Sequence, residues 1–216
     1  PRSRGPSAPM NGTGRFLQAQ NPHPEIQSAY EILPFLTNLV AVHLINVPGT
    51  NTFLYMERPS GYHPTMDPPV ANNLIAGTLK IDTLEWTAVN SPDGLFCSGH
   101  TVSATGEVVI VGGHRQNAGY PSGLFSVRTY NMQTNVSNLV RTTLMSYPRW
   151  YPSATLLASS NILIMGGTQD VGAGTAGNPT YEIFNPRNPT ESPLPMFPVD
   201  PAYLKSVRQN YYPFNY

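Results

Sequence analysis

CSGHTVSATGEVVIVGGH (Cys97–His114) and YPSATLLASSNILIMGGT (Tyr151–Thr168) lie on one another without a gap. Val102 meets Leu156, Ile110 meets Ile164, and Gly112-Gly113 meets Gly166-Gly167, each 54 residues later. Farther along, RTYN (Arg128–Asn131) faces EIFN (Glu182–Asn185) at the same offset. A weaker copy stands upstream. AVHLINVPGTNTFLYMER (Ala41–Arg58) carries the two apolar runs without the double glycine. LKIDTLEWTAV (Leu79–Val89) then supplies outer strands, with Ile81-Asp82 in the place of Tyr130-Asn131.

Helical periodicity is scarce, and short apolar runs between Gly, Pro and Asn clusters read as strands and turns. A period near 50 residues, holding two apolar strands, a Gly-Gly and then an aromatic-bearing strand, is that of a kelch-type propeller blade. The chain therefore reads as all-β: about three blades of an incomplete, seven-bladed β-propeller. The blades are expected over residues 35–92, 93–146 and 147–205, with residues 206–216 opening the next and 31–216 forming one partial propeller. Residues 1–30, proline-rich and sparsely apolar, read as a flexible arm. A wedge of three blades leaves raw strand edges and apolar faces, so the remainder of the same polypeptide or neighbouring chains are expected to cover them.

Charge is sparse and balanced, 12 basic against 12 acidic residues in 216, with a pI near 7.4. A neutral chain offers no electrostatic case for nucleic acid as a partner. No apolar run approaches the roughly 20 residues that span a bilayer as a helix. One cysteine excludes an internal disulfide. Asn11-Gly12-Thr13 and Asn135-Val136-Ser137 fit the N-glycosylation pattern. With 23 prolines and 18 glycines they point to a secreted or cell-surface, β-rich glycoprotein.

Cys97 and Tyr151 are separated by the repeat period itself. They therefore occupy one position in successive blades, at the entry of the first strand, which in a propeller lines the central channel. A sulfur and a phenol are expected side by side at one mouth of that channel. A lone cysteine can equally serve as a small buried hydrophobe.

LFCSGHTVSATGEVVIVGGH and RWYPSATLLASSNILIMGGTQD, with NPTYEIFNP and YYPF downstream, resemble the N-terminal propeller of the glyoxal oxidases. These are copper radical oxidases related to galactose oxidase. The resemblance runs from about Ala41 to Tyr216 and is densest from Asp93 to Pro186. It implies a thioether bond between Cys97 and Tyr151, with Tyr151 ligating one copper ion and carrying the radical. It implies oxidation of a small aldehyde or primary alcohol by O2, giving H2O2. The family's further tyrosine and two histidine ligands have no match here. Of His23, His43, His63, His100 and His114, none has a ligand spacing. His100 reads as a packed strand residue and His114 as part of a turn. The family's shielding aromatic has no counterpart in the loop Gly167–Pro179, where Gln169 and Asp170 are the polar residues nearest the mouth. A catalytically silent module with an assembly role in a matrix, wall or filament is the alternative.

Overall fold

The structure is a computed structural model, and it describes Leu39 and residues 41–58, 74–172, 174–196 and 211–213. The arm at 1–30, with Asn11 and His23, lies outside them, as does His63. The described strands form three four-stranded antiparallel sheets, and there is no helix among the described residues. The first sheet is β1 (His43–Asn46), β2 (Thr52–Met56), β3 (Ala76–Lys80) and β4 (Glu85–Ala88). The second is β5 (Gly99–Val102), β6 (Val108–Val111), β7 (Ser126–Tyr130) and β8 (Val140–Leu144). The third is β9 (Trp150–Leu156), β10 (Ile162–Thr168), β11 (Tyr181–Phe184) and β12 (Leu194–Met196). Each sheet orders its strands as they occur in the chain, as propeller blades do.

The repeat holds at the level of paired residues. Val102↔Val108 and Val108↔Tyr130 recur as Leu156↔Ile162 and Ile162↔Phe184. Turns repeat as well. Asn131 Oδ1 accepts the Gln133 N–H at 2.9 Å, and Asn185 Oδ1 accepts the Arg187 N–H at 3.0 Å. The proposed match of Ile81 to Tyr130 fails, because Ile81 lies just beyond β3 and is 46% exposed whereas Tyr130 is buried. Lys80, paired with Thr52 as Tyr130 is with Val108, holds that place instead.

Burial shows why the apolar runs differ. Val108 and Ile110 pack with Leu54 and Met56 of the first blade, while Val109 and Val111 pack with Ile162 and Ile164 of the third. Covered on both faces, β6 is buried at every position. In β2 and β10 burial alternates along the first part of the strand, because a described blade covers only one face.

The double glycine is where one blade admits the next. Gly112 has φ +64°, and a Cβ there would lie 2.4 Å from the Arg149 carbonyl oxygen. Gly113 N–H donates to that same oxygen at 3.1 Å. A buried guanidinium holds each glycine pair. Arg128 Nη1 donates to the Gly112 carbonyl and Arg149 Nη1 to the Gly166 carbonyl, both at 2.8 Å. Arg128 comes from β7 and pairs with buried Asp93; Arg149 precedes β9 and pairs with buried Glu182 at 3.0 Å. Glu182 stands at the repeat position of Arg128, whereas Arg149 stands at that of Leu95, so the guanidinium reaches the equivalent glycine from a different element.

Candidate functional site

Cys97 lies two residues before β5, and Tyr151 is the second residue of β9. Both backbones are left-handed, at φ 62° and 64°, a conformation that non-glycine residues rarely adopt and that clusters at functional positions. The Tyr151 N–H donates to the Cys97 carbonyl at 2.8 Å, joining the two equivalent positions across the blade boundary. Their side chains face one another as well, close enough that the Cys97 thiol and the Tyr151 phenol each shift the other's acidity.

Two further residues belong to this row. Tyr212 also has a positive φ, 42°, and its N–H donates to the Tyr151 carbonyl at 2.8 Å, the same bond one blade on. Its Oη donates to the Ser98 carbonyl at 3.2 Å, so one residue ties both sides of the pair. On the other side, His43 Nε2 accepts the Cys97 N–H at 3.1 Å from 54 residues upstream. Tyr212 was legible as Tyr211-Tyr212-Pro213 repeating Trp150-Tyr151-Pro152, although the longer spacing hid the equivalence. His43 carries no local motif and does not stand at the repeat position of Cys97.

Aromatic rings enclose the pair. Trp150 lies 4.3 Å from the Tyr151 ring centroid, Tyr211 4.6 Å and Tyr212 5.0 Å. Tyr211 and Trp150 thus stand where no aromatic was assigned from sequence. Gln169 is exposed, and Asp170 sits 3.9 Å from Arg115 in an exposed pair. His114 follows the double glycine as expected, its Nδ1 donating to the Arg115 carbonyl at 3.0 Å and its ring against Phe96 and Trp150. His100 is packed in β5, with its ring edge-on to His43 at 5.6 Å. Asn135 lies in the hairpin between β7 and β8, half-buried, with its Oδ1 accepting from Asn138 at 3.0 Å.

This enclosure keeps the site neutral. Burial pushes the Cys97 thiol up to about 12, against the opposing pull of Tyr151, Arg58 and Trp150. Burial, then Cys97, raises Tyr151 well above the ordinary phenol value. Tyr212 is raised by burial and by Cys97 and Tyr151. Proton loss from either partner must therefore accompany any oxidation of the pair. Three of the five buried polar side-chain atoms that lack a hydrogen-bond partner among the described residues are Ser98 Oγ, His100 Nδ1 and Trp150 Nε1. They flank the pair in sequence, and such orphans call for an explanation that packing does not supply. Trp150 favours a thiolate at Cys97 through its dipole without reaching hydrogen-bond geometry. Beside it runs a groove of about 310 Å³ lined by Gly99, His100, Pro152, Ser153, Tyr212 and Pro213, among others.

A copper ion would meet the Tyr151 phenol here, with the rings of Tyr211 and Tyr212 beside it. No group of three His, Cys, Asp or Glu that could hold a metal occurs among the described residues. The residues present fit the tyrosine–cysteine half of such a centre and do not complete a ligand shell.

No family model and no curated protein sequence matches the chain. Among solved structures it is similar to one described as a novel fungal alcohol oxidase with catalytic diversity among the AA5 family, in complex with copper. The TM-score is 0.52 at 19% identity, over 71% of this chain and 30% of that one. The chain thus spans less than a third of that oxidase's length. At this identity the likeness establishes a shared fold, three propeller blades of a kind also found in a copper alcohol oxidase.

Proposed function

We propose that the chain is the N-terminal propeller portion of a secreted, glyoxal-oxidase-like copper radical oxidase, acting on small aldehydes or primary alcohols with O2. The observation that carries the reading is the meeting of the Cys97 thiol and the Tyr151 phenol at equal repeat positions. A scaffold has no use for that pair, and aromatic rings pack against the phenol that is to lose an electron. Copper, when bound, supplies one one-electron acceptor; the Tyr151 ring is the other. A thioether from Cys97 would feed electron density into that ring and ease its oxidation. The similarity of fold to a copper alcohol oxidase supports the same reading. A single phenol oxygen does not hold copper at a catalytic site. The other ligands are therefore taken to come from outside the described residues, and the 216 residues alone are expected not to turn over substrate. Asn135, in a surface hairpin, is a suitable glycan acceptor for a secreted chain.

The test is exposure of the purified chain to copper(II) and air, followed by a tryptic digest. A peptide joining Cys97 to Tyr151, two hydrogens lighter than its parts and absent from Cys97→Ser, is expected. If the thiol stays free even when a longer polypeptide supplies the further copper ligands, or lies away from the Tyr151 ring, the oxidase reading fails and the silent-module reading takes its place.

A further inference from the structure

We propose that His43 is a positioning residue for the Cys97–Tyr151 pair: its Nε2 fixes the left-handed backbone of Cys97 that aims the thiol at the phenol. The description of the pair as a cross-linking site rests on the function proposed above. The hold of His43 on Cys97 does not.

The row of strand entries carries the argument. In the third blade the entry N–H, Tyr151, donates to the carbonyl of its equivalent one blade back, Cys97. In the next, Tyr212 donates to Tyr151 in the same way. Cys97 breaks the pattern. Its N–H is met by an imidazole nitrogen from His43, the first residue of β1 in the preceding blade. A side chain has replaced a backbone acceptor, so this bond, unlike the other two, depends on which amino acid stands at 43.

The bond matters because of where Cys97 sits. Its side chain is 1% exposed, so its N–H has no water to turn to, and an unpaired buried N–H is strongly disfavoured. Its φ of 62° is a strained value that persists only when the surroundings over-determine it. Relaxation to the extended region would swing Cβ, and the sulfur with it, away from the Tyr151 ring. The acceptor is itself held firmly. His43 is 8% exposed, with His100 edge-on at 5.6 Å and Tyr212 at 6.3 Å. For Nε2 to accept, the ring proton must reside on Nδ1.

Two measurements on the full 216-residue chain test this. In the copper-free chain, a scalar coupling between His43 Nε2 and the Cys97 amide nitrogen is expected, with an NOE from Cys97 Hβ to the Tyr151 ring. With copper(II) and air, the cross-link forms a Sγ–ring carbon bond from an S–H and a C–H. Two electrons and two protons then pass to dioxygen, giving hydrogen peroxide. His43→Leu should slow that cross-linking about tenfold or more and abolish the NOE, whereas His43→Gln, whose amide oxygen can accept, should restore both substantially. A wild-type chain without the coupling, or a folded His43→Leu that keeps the NOE, overturns the proposal. If His43→Leu does not fold, the wild-type coupling and His43→Gln decide it. A wild-type chain that shows coupling and NOE yet never cross-links counts against the oxidase reading alone.

Discussion

Ser160 shows what a single residue gives up when a repeat drifts. It stands one period after Gly106, and the two turns match bond for bond. Gly106 N–H donates to Ser103 at 3.0 Å and Ser160 N–H to Leu157 at 2.9 Å. Both residues are left-handed, at φ 82° and 69°, but only glycine takes that conformation freely. Ser160→Gly should therefore stabilise the chain by about 0.5–1 kcal/mol, after allowing for the looser unfolded state. A thermal melt should register that as a rise of roughly 2 °C. His43 supplies a pH dependence at the same scale. Burial, and secondarily His100, hold it down to about 4 from its ordinary 6.5. Below 6.5 the unfolded chain takes up a proton that the folded one refuses. The contribution is thus complete above about pH 6.5 and lost as pH falls towards 4, on the order of 3 kcal/mol. Urea melts at pH 7 and about pH 4.5 should show a larger loss for wild type than for His43→Gln; equal losses would mean that His43 titrates freely.

Between elements, backbone approach decides what the blade boundary tolerates. Gly112→Ala must find room for a Cβ 2.4 Å from the Arg149 oxygen and 2.9 Å from Pro152 Cγ, at a φ that alanine resists. A loss of about 2–4 kcal/mol in denaturant titration is expected. Gly106→Ala is the control: its φ is also positive but nothing lies within 4 Å, so it should cost only the strain, about 1 kcal/mol. This glycine pair was plain in the sequence, because a close backbone approach admits no other residue and so recurs at fixed spacing. The Cys97–Tyr151 pair was legible for the same reason. The guanidinium clamps were not. Arg128 and Arg149 reach the same carbonyl position from different elements, and Arg149 and Asp93 stand opposite Leu95 and Tyr147 in the repeat, so no residue-by-residue match survives. The opening of a next blade at 206–216 was legible, but the place of Tyr212 beside the pair was not, because a longer connection stretches its spacing beyond the period. His43 escaped because an imidazole standing in for a carbonyl leaves no pattern at all.

Across the whole molecule, each blade meets its predecessor with one face and its successor with the other. Val109, Val111 and Val127 of the second blade are buried against the third. Their repeat equivalents in the third blade are Leu163, Met165 and Tyr181, and all three are only half-buried. Tyr212 already docks on Tyr151 as Tyr151 docks on Cys97, which is how a following blade would begin. The geometry thus calls for a further four-stranded sheet over Leu163 and Met165. Supplied by a longer polypeptide or by a second copy, it would gain about 25 cal/mol for each Å² of apolar surface covered. The 216 residues alone should accordingly self-associate through this face. Light scattering should find oligomers whose population rises with protein concentration. Leu163→Lys combined with Met165→Lys should shift them to monomer while circular dichroism stays unchanged, since neither side chain belongs to the buried face. Position 44 offers a control elsewhere: Leu44 is 49% exposed on β1, and Leu44→Lys should leave the association in place if the third blade carries it. A wild-type chain that stays monomeric across the concentration range, with these positions shielded from solvent, would show that the face is closed by residues of this chain itself.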